Sequence, residues 1–168
     1  MNLAPSATPT ASYTSGWESV AAINDGREPA SSSDAPRWGS WPQKGTQWVQ
    51  YTWDDPVRVA GSDLYFFRDA QPGAADGVGV PQSWVIEYRD GDTWREVPAP
   101  SGYGTAEDRY NRTTFTPVTT TALRARLTGH PNLALGVQEW KVYAETPESV
   151  REVHIPTRAA PSPTCPGR

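Results

Sequence analysis

The sequence predicts an all-β protein, an antiparallel β-sandwich. Two observations carry this. At least seven short runs rich in β-branched and aromatic residues are separated by turn residues. Proline (17) and glycine (14) are spread through 168 residues, which disfavours long helices. The one helical stretch is a short turn over Glu18–Asn24, just before Asp25-Gly26.

Taken in order, Gln47–Trp53 (QWVQYTW) reads as the first strand and Val57–Phe67 as the second, interrupted by Gly61. Asp54-Asp55-Pro56 between them reads as a turn. Ser83–Arg89 and Thr93–Val97 flank Asp90-Gly91, the strongest hairpin signal in the chain. Thr113–Thr119 and Ala122–Thr128 form a second pair. In the latter, Leu123, Ala125 and Leu127 alternate with Arg124 and Arg126, as one buried and one wet face require. Gly136–Ala144 is the last strand. Three long connections remain, Tyr13–Trp48, Arg68–Gln82 and Pro98–Arg112, and long irregular loops tend to be functional. The domain is expected to span residues 2–145. Residues 146–168, with five prolines and no periodicity, read as a disordered Pro-rich linker or tail.

Composition excludes several partners. The net charge is −4 and only two lysines occur, so nucleic acid and anionic membrane surfaces are poor electrostatic partners. The single cysteine, Cys165, rules out a disulfide framework or a cysteine-based zinc site. The N-terminal residues lack the pattern of a signal peptide. A cytosolic chain or a piece of a longer secreted protein fits, and the latter is the expectation. No nucleophile elbow, phosphate-cradling loop or HExxH motif is present. Catalysis is therefore not expected.

Three stretches carry a family resemblance: Ser19–Gly26 (SVAAINDG) with the preceding YTSGWE, Arg37–Trp41 (RWGSW), and Val137–Ala144 (VQEWKVYA). With the opening Asn2–Pro5, they resemble the discoidin, or coagulation factor type C, family. More narrowly, they resemble family 32-like carbohydrate-binding modules appended to bacterial glycoside hydrolases. The resemblance implies a galactose-binding-like jelly roll, a poly- or oligosaccharide partner and a covalently linked catalytic domain. A secreted monomer is expected.

The resemblance also implies one structural calcium, held by an aspartate of the DG loop, backbone carbonyls and a glutamate of the last strand. Asp25 and Glu139 match these positions, and Asp34 and Ser33 are candidates for a further ligand. The plainer reading is a turn at Asp25-Gly26 and a solvated Glu139.

In the resembling modules, loops at one end of the sandwich bind the sugar. That points to Trp17, Glu18, Phe67, Arg68, Asp69, Tyr110 and Arg112, flat rings beside planar hydrogen-bonding groups. Trp48, Trp53, Trp84 and Trp140 lie within strands and are expected in the core, as is Trp38. Trp41 fits either a stacking platform or a lid over the core, the lid being favoured. The competing functions are a structural spacer packed on a catalytic domain and a discoidin-type protein or lipid adhesion module. The tip of Gln71–Val80 lacks Trp or Leu, which argues against membrane insertion.

Overall fold

The computed structural model describes residues 1–145. The expectation for residues 146–168 lies outside the described residues. Eight strands form the fold: β1 (Thr8–Ala11), β2 (Trp38–Lys44), β3 (Thr46–Phe66), β4 (Val78–Gly79), β5 (Ser83–Asp90), β6 (Thr93–Glu96), β7 (Tyr110–Thr128) and β8 (Ala134–Ala144). The helical turn is a 3-10 turn over Val20–Asn24, and a second such turn covers Ala4–Ser6.

The two runs read as separate strands on either side of Asp54-Asp55-Pro56 are one long strand, β3. The chain bends there instead of turning back. Its register against β7 shifts between Thr52 and Val57, and a bend of this kind carries a strand from one sheet to the other. β7 likewise joins the two runs predicted around Thr120. Sheet I consists of β1, the first half of β3, the second half of β7, then β5 and β6. Sheet II consists of β2, β8, the second half of β3 and the first half of β7. The short β4 adds to β8 in parallel. The result is an all-β, essentially antiparallel sandwich. β1 (TPTA) and β2 (WGSWPQK) escaped the sequence reading because proline interrupts both, and β4 because it is only two residues long. The DG hairpin forms as expected, with Gly91 at φ +60.

Strand alternation sends one face of each sheet inward. Val49, Tyr51, Trp84, Ile86, Leu123 and Leu127 of sheet I meet Trp38, Leu64, Phe66, Val137, Trp140 and Val142 of sheet II in one core. Trp48 is a correction: it is only half-buried, because its neighbour Val49 takes the inward position. Trp38, Trp53, Trp84 and Trp140 are buried as expected. Two contacts lock the layers. The Tyr51 and Trp140 rings stack at 4.5 Å with 15° between planes. The Tyr51 hydroxyl lies 2.7 Å from the Trp140 carbonyl and 3.0 Å from the Ile23 carbonyl, so it ties the 3-10 turn to both sheets.

Tyr51→Phe removes a donor that two buried carbonyls share while keeping the ring. A loss of about 1–2 kcal/mol in unfolding free energy is expected in urea titration, with an unchanged m-value.

Candidate functional site

β2 organises one end of the sandwich. In RWGSW, Trp38 and Ser40 are fully buried, so Arg37, Gly39 and Trp41 belong to the opposite side of the strand. The Trp38 indole N–H donates to the Tyr13 carbonyl at 3.0 Å and anchors the incoming loop. The Ser15 amide donates to the Gly39 carbonyl at 2.8 Å, and the Ser19 amide to the Arg37 carbonyl at 3.0 Å. These bonds lay residues 15–19 alongside β2. Gly39 has no side chain to obstruct them: a Cβ there would stand 3.3 Å from Glu18 Cγ.

A cleft of roughly 280 Å³ opens between this loop, β2 and the β3–β4 loop. Trp17, Glu18, Arg37, Trp41 and Asp69 line it. Trp17 is 84% exposed and Trp41 36%. The same cleft holds an ion pair, Arg37 Nε to Glu18 Oε2 at 3.2 Å. Arg37 is held rigidly: its Nη1 donates to the Ser33 and Asp34 carbonyls, and its guanidinium carbon sits 3.9 Å from the Phe67 ring centre. The Trp41 indole N–H donates to Asp76 at 3.1 Å, and Asp76 also pairs with Lys44 at 3.0 Å. The Lys44 hydrogen bond, the Gly77 amide and Trp41 together hold the Asp76 carboxyl below the usual aspartate range. Asp69 accepts from the Val78 amide at 2.7 Å, which closes the far wall. Flat rings flank fixed planar donors and acceptors in an open cleft. Such a site packs on C–H faces and hydrogen-bonds hydroxyls.

The sequence-predicted residues therefore separate. Trp17, Glu18 and Asp69 come together. Phe67 is buried, 1% exposed, and supports Arg37 from beneath without reaching the cleft wall. Arg68 pairs with Glu107. Tyr110 and Arg112 do not line the cleft. The Tyr110 hydroxyl donates to Glu28 at 2.7 Å, and its ring meets Tyr65 edge-on. Arg112 grips Asp63 through two hydrogen bonds, at 3.0 and 2.7 Å, on the outer side of sheet II. Burial pushes the Asp63 carboxyl up, but Arg112 and the Tyr143 hydroxyl outweigh this and leave it below its ordinary value. Arg37 was missed as a site residue, although alternation within RWGSW places it and Trp41 together. Trp41 lines the cleft and is not a lid over the core. Tyr103 anchors its own loop, with its ring 4.9 Å from Trp84.

Asp25 and Glu139 lie together. Glu139 is 1% exposed; its Oε2 accepts from the Gly26 amide at 3.3 Å, and its Oε1 has no partner. Burial pushes its carboxyl up to about 8, and the adjacent Asp25 carboxyl adds to the rise. A buried carboxyl with an orphaned oxygen beside a second carboxyl favours a proton or a cation. These residues therefore fit a hard cation, provided carbonyl oxygens complete the shell. Among the described residues, no group of three or more His, Cys, Asp or Glu side chains forms a metal cluster. Asp34 accepts from the Ala30 and Ala35 amides, and the Ser33 hydroxyl meets that of Ser31, so both serve their own loop.

Fold and cleft together define a β-sandwich module with an open, aromatic-flanked cleft at one end. The family model of the F5/8 type C domain matches residues 6–148, and the chain belongs to that family. Solved structures share the fold. A chain of the β-galactosidase BgaA from Streptococcus pneumoniae matches with a TM-score of 0.70 at 20% identity, covering 83% of this chain and 92% of that one. Chitosan-binding module 1 of a Paenibacillus sp. IK-5 chitosanase/glucanase matches with a TM-score of 0.64 at 21% identity, covering 86% and 99%. The family 32 carbohydrate-binding module of Clostridium perfringens NanJ, solved with galactose, matches with a TM-score of 0.60 at 13% identity, covering 84% and 96%.

Gly136 lies against Phe67: a Cβ there would fall 2.5 Å from Phe67 Cδ1. Gly136→Ala is expected to displace that ring from beneath Arg37 and to cost about 1–3 kcal/mol, measurable by chemical denaturation.

Proposed function

We propose that this domain is a carbohydrate-binding module that holds a linked glycoside hydrolase on a galactose- or arabinose-containing polysaccharide. One observation carries the reading. The exposed large hydrophobic side chains among the described residues are Met1, Tyr13, Trp17 and Trp41, and both tryptophans line one cleft that also holds the Arg37–Glu18 ion pair. Exposing two indoles is costly unless a ligand covers them. A pyranose face packs on Trp17, while the Arg37–Glu18 pair and Asp69 take its hydroxyls.

The affinity expected is modest. A ring covering about 100 Å² of sugar face supplies roughly 2.5 kcal/mol. Two or three hydrogen bonds add about 1 kcal/mol each, and ordering offsets part of the total. Millimolar to high-micromolar binding follows, which suits a module acting through tethering and effective concentration. The module works as part of a larger secreted enzyme and does not itself cleave the glycan. The relatives support this by analogy of fold: the NanJ module was solved with galactose, and the Paenibacillus module is named for chitosan.

A structural calcium completes the proposal, with Asp25 and Glu139 as side-chain ligands. It would neutralise the buried Glu139 carboxyl beside the exposed Asp25 and tie the loop after the 3-10 turn to β8. The spare Glu139 Oε1 supports it.

Affinity electrophoresis on galactan, arabinan and arabinogalactan tests the cleft. Trp17→Ala is expected to weaken retardation roughly 50- to 100-fold, the equivalent of the ring's contribution. No retardation of the wild type by any of these polymers would favour the spacer role. For the metal, melting with calcium against chelator should show a midpoint higher by on the order of 5–10 °C with calcium, and Glu139→Gln should abolish the difference. An unchanged midpoint would remove the ion.

A further inference from the structure

The outer face of sheet I carries a second aromatic surface, made by other strands than the cleft. Alternation turns Val49 and Tyr51 of β3 and Leu123 and Ala125 of β7 into the core, and so turns Trp48, Gln50 and Arg124 outward. Trp94 of β6 reaches the same place from the far side, opposite Arg89 of β5. The Arg124 guanidinium carbon lies 4.2 Å from the Trp48 ring centre and 4.1 Å from that of Trp94. A planar cation packed against two rings offers chiefly its N–H edge to a partner.

The terminal part of that edge is open: one arm of Arg124, Nη2, donates to Gln50 Oε1 at 3.1 Å, Nε is buried without a partner, and Nη1 makes no hydrogen bond among the described residues. Glu87, the acidic neighbour across the strands, is engaged by Arg126 at 3.1 Å. Arg89, 5.7 Å from the Trp94 ring centre, donates to the Gly91 carbonyl at 2.9 Å. Among the described residues, neither Arg89 nor Arg124 forms a salt bridge. A chain of net charge −4 thus presents two guanidinium groups without a salt bridge around a tryptophan pair. Burial holds Arg124 below its ordinary pKa, with Arg89 and Arg126 adding to the effect against the opposing pull of Glu87. An anion at this edge would offset the charge repulsion around Arg124.

We propose that this face is a second glycan-binding surface, selective for the carboxylate of a uronic-acid residue, with the Arg124 edge as anchor and Trp48 and Trp94 as its walls. A uronate pyranose carries an apolar C–H face and a carboxylate on one ring, the two features this surface pairs. Guanidinium and carboxylate match bidentately, which a hydroxyl cannot reproduce. The surface is independent of the Trp17–Trp41 cleft.

Affinity electrophoresis at pH 7 tests it with polygalacturonate, its fully methyl-esterified form, neutral galactan and dextran sulfate. Polygalacturonate should retard the wild type, and the ester, which lacks the charge, should retard it at least tenfold less. Arg124→Gln should lose at least tenfold in polygalacturonate retardation at an unchanged melting midpoint. Should that variant melt early, Arg124→Lys, which keeps the charge but not the edge, should show the same loss. Trp17→Ala should leave polygalacturonate retardation intact. Equal retardation by acid and ester overturns the proposal. So does no retardation by the acid, or dextran sulfate retarding as strongly as polygalacturonate with Arg124→Gln unaffected. Polygalacturonate binding without galactan binding would defeat the cleft reading alone, and the reverse would defeat this one alone.

Discussion

The Tyr51 ring, stacked 4.5 Å from Trp140, joins three parts of the protein that have no sequence proximity. Tyr51 belongs to the half of β3 in sheet I, Trp140 to β8 in sheet II, and the tyrosine hydroxyl reaches the Ile23 carbonyl of the 3-10 turn. Packing, sheet alignment and the start of the Asp25 loop are therefore set by one side chain. The two buried carbonyls it serves cannot reach water, so the arrangement has few alternatives. The carboxyls of Asp25 and Glu139 lie close to this contact in sequence: Asp25 caps the 3-10 turn two residues after Ile23, and Glu139 immediately precedes Trp140 on β8.

The cleft inherits its rigidity from that core. Arg37 and Trp41 project from a strand whose intervening residues, Trp38 and Ser40, are fully buried. The Arg37 guanidinium then rests on Phe67, itself packed with Val78 and Ala134. A hydrogen-bonding group held this way loses little freedom when a ligand arrives, so less of a weak contact's free energy goes into ordering. Trp17 differs. Its backbone is tied down by Ser15, but its ring stands in solvent. The site thus combines a fixed polar floor with an exposed apolar wall.

The outer face of sheet I shows how the same chemistry takes another form. There the aromatic rings are half-buried and already hold a cation, so charge distinguishes this surface from the cleft. In the cleft, Arg37 has Glu18 as its counter-charge; on the sheet face, Arg124 has only an amide. Counter-ion pairing separates a surface suited to neutral hydroxyls from one suited to an anion.

Much of this was legible in the chain. Alternation over Ala122–Thr128, the DG hairpin and the turn residues specify short strands with one wet face, because a period of two is a local property of extended backbone. Trp17 and Asp69 could be nominated because both lie in long connections. Other features were not legible. Nothing local says that the chain bends at Asp54-Asp55-Pro56 and continues as one strand, or that Trp48 faces out while Trp53 faces in. Tyr110 and Arg112 looked equivalent to Trp17 as loop-edge residues, yet the loop residue Glu28 and the cross-strand partner Asp63 engage them elsewhere. The sequence by itself determined the β class, the alternation of clear stretches such as Ala122–Thr128, and the residue types available for a glycan. Tertiary structure alone decided which of them meet, because that depends on strand pairing between distant segments and on the corner where β3 changes sheets.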